Sequence, residues 1–182
     1  MNQQLEAELI KHDHWNRRLL CAIFMCFGVP ESYLDVGCGT GAMVDFASMM
    51  GIDAWGLDII YSQSRRVIQH DLREKFNLHK NFDLVTCIEV LEHIESGYDG
   101  NVLESIANHT IPGSILVFSA AGPGQGGIEH VNLKLGSIWR TRLYDLGFSY
   151  RHDYTTKLQL AANLIPAPSR DLWIGNMQVF DK

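Results

Sequence analysis

Paired cysteines, a secretion signal and long hydrophobic runs are all missing from this sequence. The four cysteines show no C-x-x-C spacing, and each lies in an apolar run or a glycine-rich turn, which favours reduced and mostly buried thiols. The first fourteen residues are polar and of mixed charge, unlike a secretion signal. The apolar run over residues 19–27 is far shorter than the roughly 20 residues that span a bilayer. We therefore expect a cytoplasmic protein without a membrane-spanning segment.

Basic charge is also scarce. The formal net charge is −6, and the small basic clusters are Arg65 with Arg66 and Arg140 with Arg142, so we expect no nucleic-acid partner. Repeats, low-complexity segments and linkers are absent as well. With 46% hydrophobic and 20% charged residues, the sequence predicts one globular domain over residues 1–182 and leaves its oligomeric state open.

One stretch, residues 34–41, is the feature around which the rest is arranged. It reads Leu-Asp-Val-Gly-Cys-Gly-Thr-Gly, and apolar residues recur at helical spacing directly after it. The pattern predicts a strand, a tight turn and a helix. Glycine lets a ligand approach the backbone closely, and the N-terminus of the following helix presents free N–H groups. We therefore predict a nucleotide-type ligand at this turn.

Strands and helices alternate along the rest of the chain. The predicted strands cover residues 33–36, 54–57, 67–69, 82–88, 114–119, 148–154 and 172–180. The predicted helices cover residues 5–27, 43–50, 101–109, 137–146 and 158–165. This alternation predicts a doubly wound, mostly parallel seven-stranded α/β sheet with helices on both faces. An N-terminal helical cap over residues 1–32 would precede the core over residues 33–182.

Acidic residues follow several of the predicted strands, where ligands bind in a doubly wound sheet. Asp58 stands 21 residues beyond Gly37, and its carboxylate can accept both hydroxyls of a ribose, although it could instead cap a following helix. Asp71 with Leu72 offers an acceptor for an exocyclic amine beside an apolar surface for a purine. Glu89 ends the fourth strand. Together these residues predict a ligand cleft at one edge of the sheet.

Two segments carry a resemblance to a known family. Residues 34–41 resemble motif I of the class I S-adenosylmethionine-dependent methyltransferases. Residues 82–85 and 88–94 are similar to the fourth-strand region of the small-molecule branch, which includes the ubiquinone-biosynthesis type O-methyltransferases. The resemblance covers residues 33 to about 120. It implies a Rossmann-like fold and S-adenosylmethionine as the methyl donor.

The resemblance also implies a set of residues that hold this cofactor. The set comprises Gly37, Cys38 and Gly39 at the methionine moiety, Asp58 at the ribose, Asp71, Leu72 and Ile59 at the adenine, Glu89 at the border of the site and Asp35, which would orient the turn and could receive the cofactor ammonium through water. A sulfonium methyl group is already electrophilic, so the protein chiefly has to align a nucleophile and exclude water. A general base is needed only when the acceptor is a protonated hydroxyl or amine.

Two histidines are candidates for that base. His93 follows the fourth strand and His130 follows a glycine-rich loop, and the ordinary pKa of histidine is close to neutral. With Glu89 and Glu92 they also form a donor set for a divalent metal, and some relatives with the Glu-x-x-Glu-His pattern look metal-dependent. Glu89 cannot easily serve both a metal and the cofactor amine. The sequence leaves the choice between base and metal open.

The acceptor is predicted from what the fourth strand lacks. It ends in Cys-Ile-Glu-Val, where amino-methylating nucleic-acid enzymes carry Asn or Asp, Pro, Pro and an aromatic residue. We therefore expect a small-molecule acceptor that is methylated on oxygen, between Trp15, Trp139 and the loop over residues 121–127. Two alternatives are a small NAD-binding reductase, because residues 37–42 satisfy a loose dinucleotide pattern, and a non-catalytic cofactor-binding subunit.

Overall fold

The computed structural model describes residues 3–165 and 174–182, with side chains from residue 13 onward. In this part of the chain the helices are α1 (Gln3–Phe27), α2 (Ala42–Met49), α3 (Asp99–Asn108), α4 (Gly136–Asp145) and α5 (His152–Asn163). The strands are β1 (Ser32–Val36), β2 (Asp53–Asp58), β3 (Val67–Gln69), β4 (Leu84–Ile88), β5 (Ile115–Ser119), β6 (Ser149–Tyr150) and β7 (Gln178–Asp181). A single 3₁₀ turn, Leu91–His93, follows β4.

The seven described strands form one sheet in the order β3-β2-β1-β4-β5-β7-β6. The first five are parallel, and β7 runs antiparallel to both β5 and β6. The order reverses between β1 and β4, so the carboxyl ends of these two strands flank the crevice where doubly wound sheets bind ligands. The predicted doubly wound, mostly parallel α/β sheet is confirmed.

Helices cover both faces because the central strands are apolar on both sides. Tyr33 and Leu84 contribute to a core shared with α1, α2 and α5, whereas the next residues, Leu34 and Val85, contribute to a core shared with α3 and α4. This is the period of two expected of strand side chains. The sheet is thereby fixed between two helical layers, and its carboxyl edge stays available for a ligand.

Helix α1 packs against α2 and α5 and reaches the glycine turn. The hydroxyl of Thr40 donates a hydrogen bond to the Asp13 carboxylate over 2.7 Å, and the hydroxyl of Ser62 donates to the Thr40 carbonyl over 2.8 Å. The predicted N-terminal helix therefore lies beside the turn. No helix among the described residues combines the length and the apolar character needed to cross a membrane.

The C-terminal third differs from the prediction. The strand predicted over residues 148–154 ends at Tyr150, and α5 begins at His152 rather than at Leu158. The reason is that Thr155 is buried together with Leu158 at helical spacing, and the Thr155 N–H donates to the Arg151 carbonyl. Part of the strand predicted over residues 172–180 lies outside the described residues, and β7 itself begins only at Gln178.

Candidate active site

The glycine turn is fastened to the end of β2. The N–H groups of Gly37 and Cys38 both donate to the Leu57 carbonyl, over 2.8 and 3.1 Å. Gly37 has a φ of +77°, and a Cβ at this position would lie 2.3 Å from a methyl group of Val90. Only glycine satisfies both constraints, because other L-residues are strained at positive φ and would overlap Val90. The turn therefore keeps a side-chain-free surface beside the crevice.

Asp58 closes the turn from the opposite side. One carboxylate oxygen accepts the Gly39 N–H over 2.7 Å, and the other accepts the Ile60 N–H over 3.0 Å. Burial raises the pKa of this carboxyl despite these hydrogen bonds. Residues 59–66 are all described and contain no helix, so the helix-capping alternative for Asp58 is wrong. The Ile59 backbone also contributes a hydrogen bond, and a carboxylate with about four acceptor positions still retains one for a ligand hydroxyl.

Asp35 is a buried residue of β1 that lies behind the turn, beside Thr86 of β4. It accepts a hydrogen bond from the Thr86 hydroxyl over 2.6 Å, and the Tyr33 and Thr86 hydroxyls are 2.7 Å apart. Burial raises the pKa of Asp35 to about 6. Sequence reasoning missed Thr86, for which the signal was a single hydroxyl within an otherwise apolar strand.

The residues expected at the adenine gather at the ends of β2 and β3. The His70 N–H donates to the Asp58 carbonyl over 2.7 Å, which holds the two strand ends together. Leu72 is buried and Ile59 is exposed. Asp71 is paired with the Arg73 guanidinium at 2.5 Å, and this hydrogen bond lowers the pKa of Asp71. Its carboxylate therefore already has a strong partner.

Two glutamates follow β4 in an unusual environment. Glu89 has a φ of +52°, and its N–H donates to the carbonyl and the hydroxyl of Ser119. Glu92 is fully buried, and within the described residues neither of its carboxyl oxygens makes a hydrogen bond of good geometry, although the Glu89 carboxyl and the Ala121 backbone lie close enough to affect its pKa. Burial and the nearby Glu89 raise the pKa of Glu92 to about 9. Buried carboxyl groups without partners are rare and call for a functional explanation.

The two candidate histidines meet beside Glu92. The rings of His93 and His130 lie edge to face with centroids 5.0 Å apart. Burial, and secondarily the charge of His130, lowers the pKa of His93. Nitrogen and oxygen atoms of Glu92, His93 and His130 all lie within 4.8 Å of one another, and Glu89 is not part of this group. We call these three residues the Glu-His-His cluster.

Backbone hydrogen bonds bring the distant loop to β4. The Val131 and Asn132 N–H groups both donate to the Glu92 carbonyl, over 2.8 and 3.1 Å. Nδ1 of His130 lies 3.1 Å from the Gln125 carbonyl. A carbonyl can only accept, so the His130 Nδ1 carries a proton and donates to it. The sequence contained both histidines but no signal for this pairing of loop and strand.

The sequence of this chain was compared with models of known protein families. A family model described as a methyltransferase domain matches residues 12–160. The chain belongs to this methyltransferase family. The class I S-adenosylmethionine-dependent methyltransferase resemblance of residues 34–41 and 82–94 is therefore confirmed at the level of family. The match does not favour the NAD-binding reductase or the non-catalytic subunit.

Relatives of this methyltransferase domain include an enzyme named ubiquinone biosynthesis O-methyltransferase from Albidiferax ferrireducens. It is 32% identical over 111 residues, which cover 52% of this chain and 43% of that protein. A protein of the same name from Shewanella pealeana is 27% identical over 138 residues, covering 68% and 56% of the two chains. The matched part of this chain thus spans about half the length of these relatives.

Solved structures share the fold of this methyltransferase domain. A sugar N-methyltransferase from Streptoalloteichus has a TM-score of 0.67 at 16% identity, with 100% of this chain and 93% of that chain covered. A 1,6-didemethyltoxoflavin-N1-methyltransferase from Burkholderia thailandensis, with bound S-adenosylhomocysteine, has a TM-score of 0.64 at 15% identity and covers 97% and 85%. At these identities the likeness establishes the Rossmann-like methyltransferase fold.

One expectation about the acceptor side of the methyltransferase domain is wrong. Trp15 and Trp139 were expected to line the acceptor, but their exposed fractions are 3% and 0%. Both rings pack in the two cores, because a large aromatic side chain gains more from full burial than from lining a wet cleft. Acceptor-lining residues must therefore come from other parts of the carboxyl edge.

Proposed function

We propose that this methyltransferase domain transfers the methyl group of S-adenosylmethionine to an oxygen atom of a small-molecule acceptor. The observation that carries the proposal is the position of the Glu-His-His cluster beside the glycine turn. Asp58 at the turn and His93 in the cluster are close enough for each charge to affect the other's pKa, although burial is the larger cause for both. Donor-binding and proton-accepting groups therefore share one crevice.

The residues at the turn fit such a donor. Gly37 leaves no room for a side chain, and Asp58 faces the turn with spare acceptor capacity. Gly37, Cys38 and Gly39 would border the methionine moiety of the donor, and Asp58 would bind its ribose. Leu72 and Ile59 would contact the adenine, with Asp71 at the edge of the adenine. Asp35 would lie behind the turn, and Glu89 would lie at the border of the donor site. The donor supplies an electrophilic sulfonium methyl group. The protein supplies alignment, and well-oriented reactions gain roughly 7–11 kcal/mol from it.

The histidines supply the proton acceptor. His93 donates one ring N–H to the Glu129 carbonyl, and the lowered pKa of His93 keeps its other nitrogen unprotonated near neutral pH. The Nδ1 of His130 donates to the Gln125 carbonyl, which orients the second ring in the same cluster. A neutral imidazole with a free lone pair can take the proton of an acceptor hydroxyl, which contributes roughly 10²–10⁴-fold. The relatives named O-methyltransferases support oxygen as the methylated atom.

The test uses S-adenosylmethionine labelled in its methyl group and fractionated small metabolites as acceptors. We expect label transfer by the full chain and a loss of about 10²-fold or more in His130→Ala, with S-adenosylhomocysteine affinity unchanged. The matched control is His79→Asn, which removes an exposed histidine that is distant in sequence from His130. Equal turnover in His130→Ala and the control would contradict a proton-accepting role.

A second candidate mechanism has a divalent cation at the Glu-His-His cluster. It is favoured by the buried carboxyl of Glu92 beside two imidazole rings, with donor atoms within 4.8 Å of one another, because carboxylate and imidazole together suit a divalent metal. Glu92, His93 and His130 would hold the ion, and the ion would bind and polarise the acceptor hydroxyl. Glu89, also expected in this set, lies outside the cluster and borders the donor side instead.

Thermal unfolding, combined with the effect of chelation on turnover, separates the two mechanisms. If the cluster holds a metal, Zn²⁺ or Mg²⁺ raises the Tm of the wild type and leaves Glu92→Gln unchanged, because ligands that bind only the native state stabilise it. Chelation with EDTA should then also abolish methyl transfer. Equal Tm responses of both proteins, with turnover resistant to EDTA, would leave the histidine base as the mechanism.

A further inference from the structure

A groove opens at the carboxyl edge of the sheet, between the first turns of α4 and α5. Its volume is about 370 Å³, at the lower end of the roughly 300–1,000 Å³ of small-molecule sites. Gly122 after β5 and Gln178 at the start of β7 form its base, and Arg140 and His152 stand on its two helical walls. We call it the α4–α5 groove. The sequence placed the acceptor between Trp15, Trp139 and the loop over residues 121–127; Gly122 of that loop lines the groove, whereas the two tryptophans do not.

The groove favours negative charge. Its lining contains Arg140 and His152 but no aspartate or glutamate, although the whole chain carries a formal net charge of −6. Both helices begin in the groove, α4 at Gly136 and α5 at His152, and neither has a side-chain hydrogen bond at its N-cap. Helix N-termini present N–H groups and a positive dipole end to anions. Asp153 in the first turn of α5 lies outside the lining and is paired with Arg151, so Arg140 and the two helix N-termini favour an anionic ligand.

Gln178 gives an independent indication of a ligand. Its side chain lines the groove with only 6% of the residue exposed, and its Oε1 has no hydrogen-bond partner within the described residues. A Cβ at Gly136 would lie 2.6 Å from the Gln178 Nε2, so the absence of a side chain at Gly136 lets this amide pack closely against the start of α4. A buried amide oxygen without a donor is costly. A ligand hydroxyl would supply the missing donor.

One residue links the groove to the Glu-His-His cluster. The Gln125 carbonyl accepts from His130, while the Gln125 side-chain oxygen accepts from the Asn176 amide over 2.8 Å and from the Gly122 N–H over 2.5 Å. Asn176 and Gly122 both line the groove. The loop whose Gln125 contacts His130 therefore also contributes Gly122 to the lining of the groove.

We propose that the α4–α5 groove binds the anionic, hydroxylated part of the methyl acceptor, whose class is a small hydroxylated carboxylate or phosphate ester. The proposal rests on the proposed function, since it names the substrate class of the same site. The negative group lies at Arg140 and the two helix N-termini. A hydroxyl donates to the Gln178 Oε1, and the carbon skeleton extends past Gln125 towards His130.

The test is an amide NMR titration of the full chain saturated with S-adenosylhomocysteine. The probes are glycerol 3-phosphate and glycerate, with glycerol as the uncharged control. We expect saturable shifts at Gly122, Gly136 and Gly175 with both anions and not with glycerol. Tighter binding of glycerol 3-phosphate assigns a phosphate ester, and tighter binding of glycerate assigns a hydroxy acid.

Two variants locate the binding, and a third is the matched control. Arg140→Gln should weaken anion binding at least about tenfold, because it removes the charged partner. Gln178→Met, which keeps the guanidinium, should weaken the probes severalfold. Lys75→Gln makes the same change of net charge at an exposed ion pair with Glu104, outside the groove, and should leave binding unchanged.

The outcomes separate this proposal from the proposed function. Absent shifts, equal binding of glycerol, or unchanged affinity in both Arg140→Gln and Gln178→Met would overturn the groove assignment even when S-adenosylhomocysteine still binds. Failure to bind S-adenosylhomocysteine in the same samples would instead overturn the donor site.

Discussion

Gly127 lies so close to His130 that a Cβ at position 127 would be 2.2 Å from the His130 Nε2. The overlap involves the end of a side chain rather than backbone, so the imidazole would have to move. Gly127 is exposed in its loop and its φ is not positive, and an alanine there is therefore compatible with folding. Because position 127 has no side chain, the Nε2 edge of the His130 ring can lie directly beside the loop backbone.

Gly127→Ala should therefore lower methyl transfer with little effect on stability. Reactions lose about 10²-fold when a reacting group is displaced by roughly 1 Å, and we expect a loss of this order. Gly126→Ala is the matched control, because a Cβ at Gly126 meets no atom within 4 Å. Turnover and Tm are measured for both variants. Equal turnover would show that the position of the His130 ring is unimportant for the reaction.

Asp58→Asn should weaken binding of S-adenosylhomocysteine by about 10- to 100-fold. The substitution keeps the size of the side chain but removes the charge and one of the two acceptors that face the Gly39 and Ile60 N–H groups, and hydrogen bonds to charged groups contribute about 1.5–3 kcal/mol each. The measurement is isothermal titration. Asp53→Asn, at the opposite end of the same strand and half-exposed, is the control. Similar affinities for both variants would remove Asp58 from the donor site.

Gly37 and Val90 should be energetically coupled. Gly37→Ala introduces strain at a φ of +77° and an overlap with Val90, so it should both destabilise the protein and weaken donor binding. Val90→Ala relieves the overlap but not the strain. In a double-mutant cycle of unfolding free energies, we expect a coupling of about 1 kcal/mol or more, with the double variant more stable than the sum predicts. Additive effects would contradict the close contact.

Asp35 should make stability fall as the pH rises. Its pKa is about 6 in the folded protein and 3.8 ordinarily, so the folded state binds its proton more tightly. The resulting stabilisation is complete below about pH 3.8 and is lost as the pH rises through about 6, to a total of roughly 3 kcal/mol. Asp35→Asn cannot titrate and should lack this decrease. The free energy of unfolding by urea, measured at several pH values, checks it; parallel curves would contradict the raised pKa.

The sequence predicted the donor half of the crevice better than the acceptor half, for a physical reason. The turn over residues 34–41 and Asp58 lie on neighbouring strands whose order follows from βαβ connections. The Glu-His-His cluster depends on long-range hydrogen bonds from Val131 and Asn132 to Glu92, and nothing in local spacing encodes them. The sequence analysis grouped the two histidines with Glu89 and Glu92 by residue type, but it could not predict the hydrogen bonds that bring them together or that Glu89 lies outside the cluster.

The acceptor half depends on side-chain burial and helix ends. Trp15 and Trp139 are aromatic residues on helices, and sequence alone does not tell which face of each helix is covered. The α4–α5 groove requires the true start of α5 at His152, which the strand-like alternation of residues 148–154 concealed. An error of a few residues in one boundary was enough to hide the site.

The central claim is that the carboxyl edge of the sheet holds the methyl donor at the glycine turn. A titration of the full chain with S-adenosylhomocysteine, followed by amide NMR, tests it most directly. We predict saturable shifts that are concentrated at Gly37, Gly39 and Gly41 and at residues 58–60. The same shifts should occur in His130→Ala. The absence of saturable shifts, or shifts elsewhere with the turn unchanged, would contradict it.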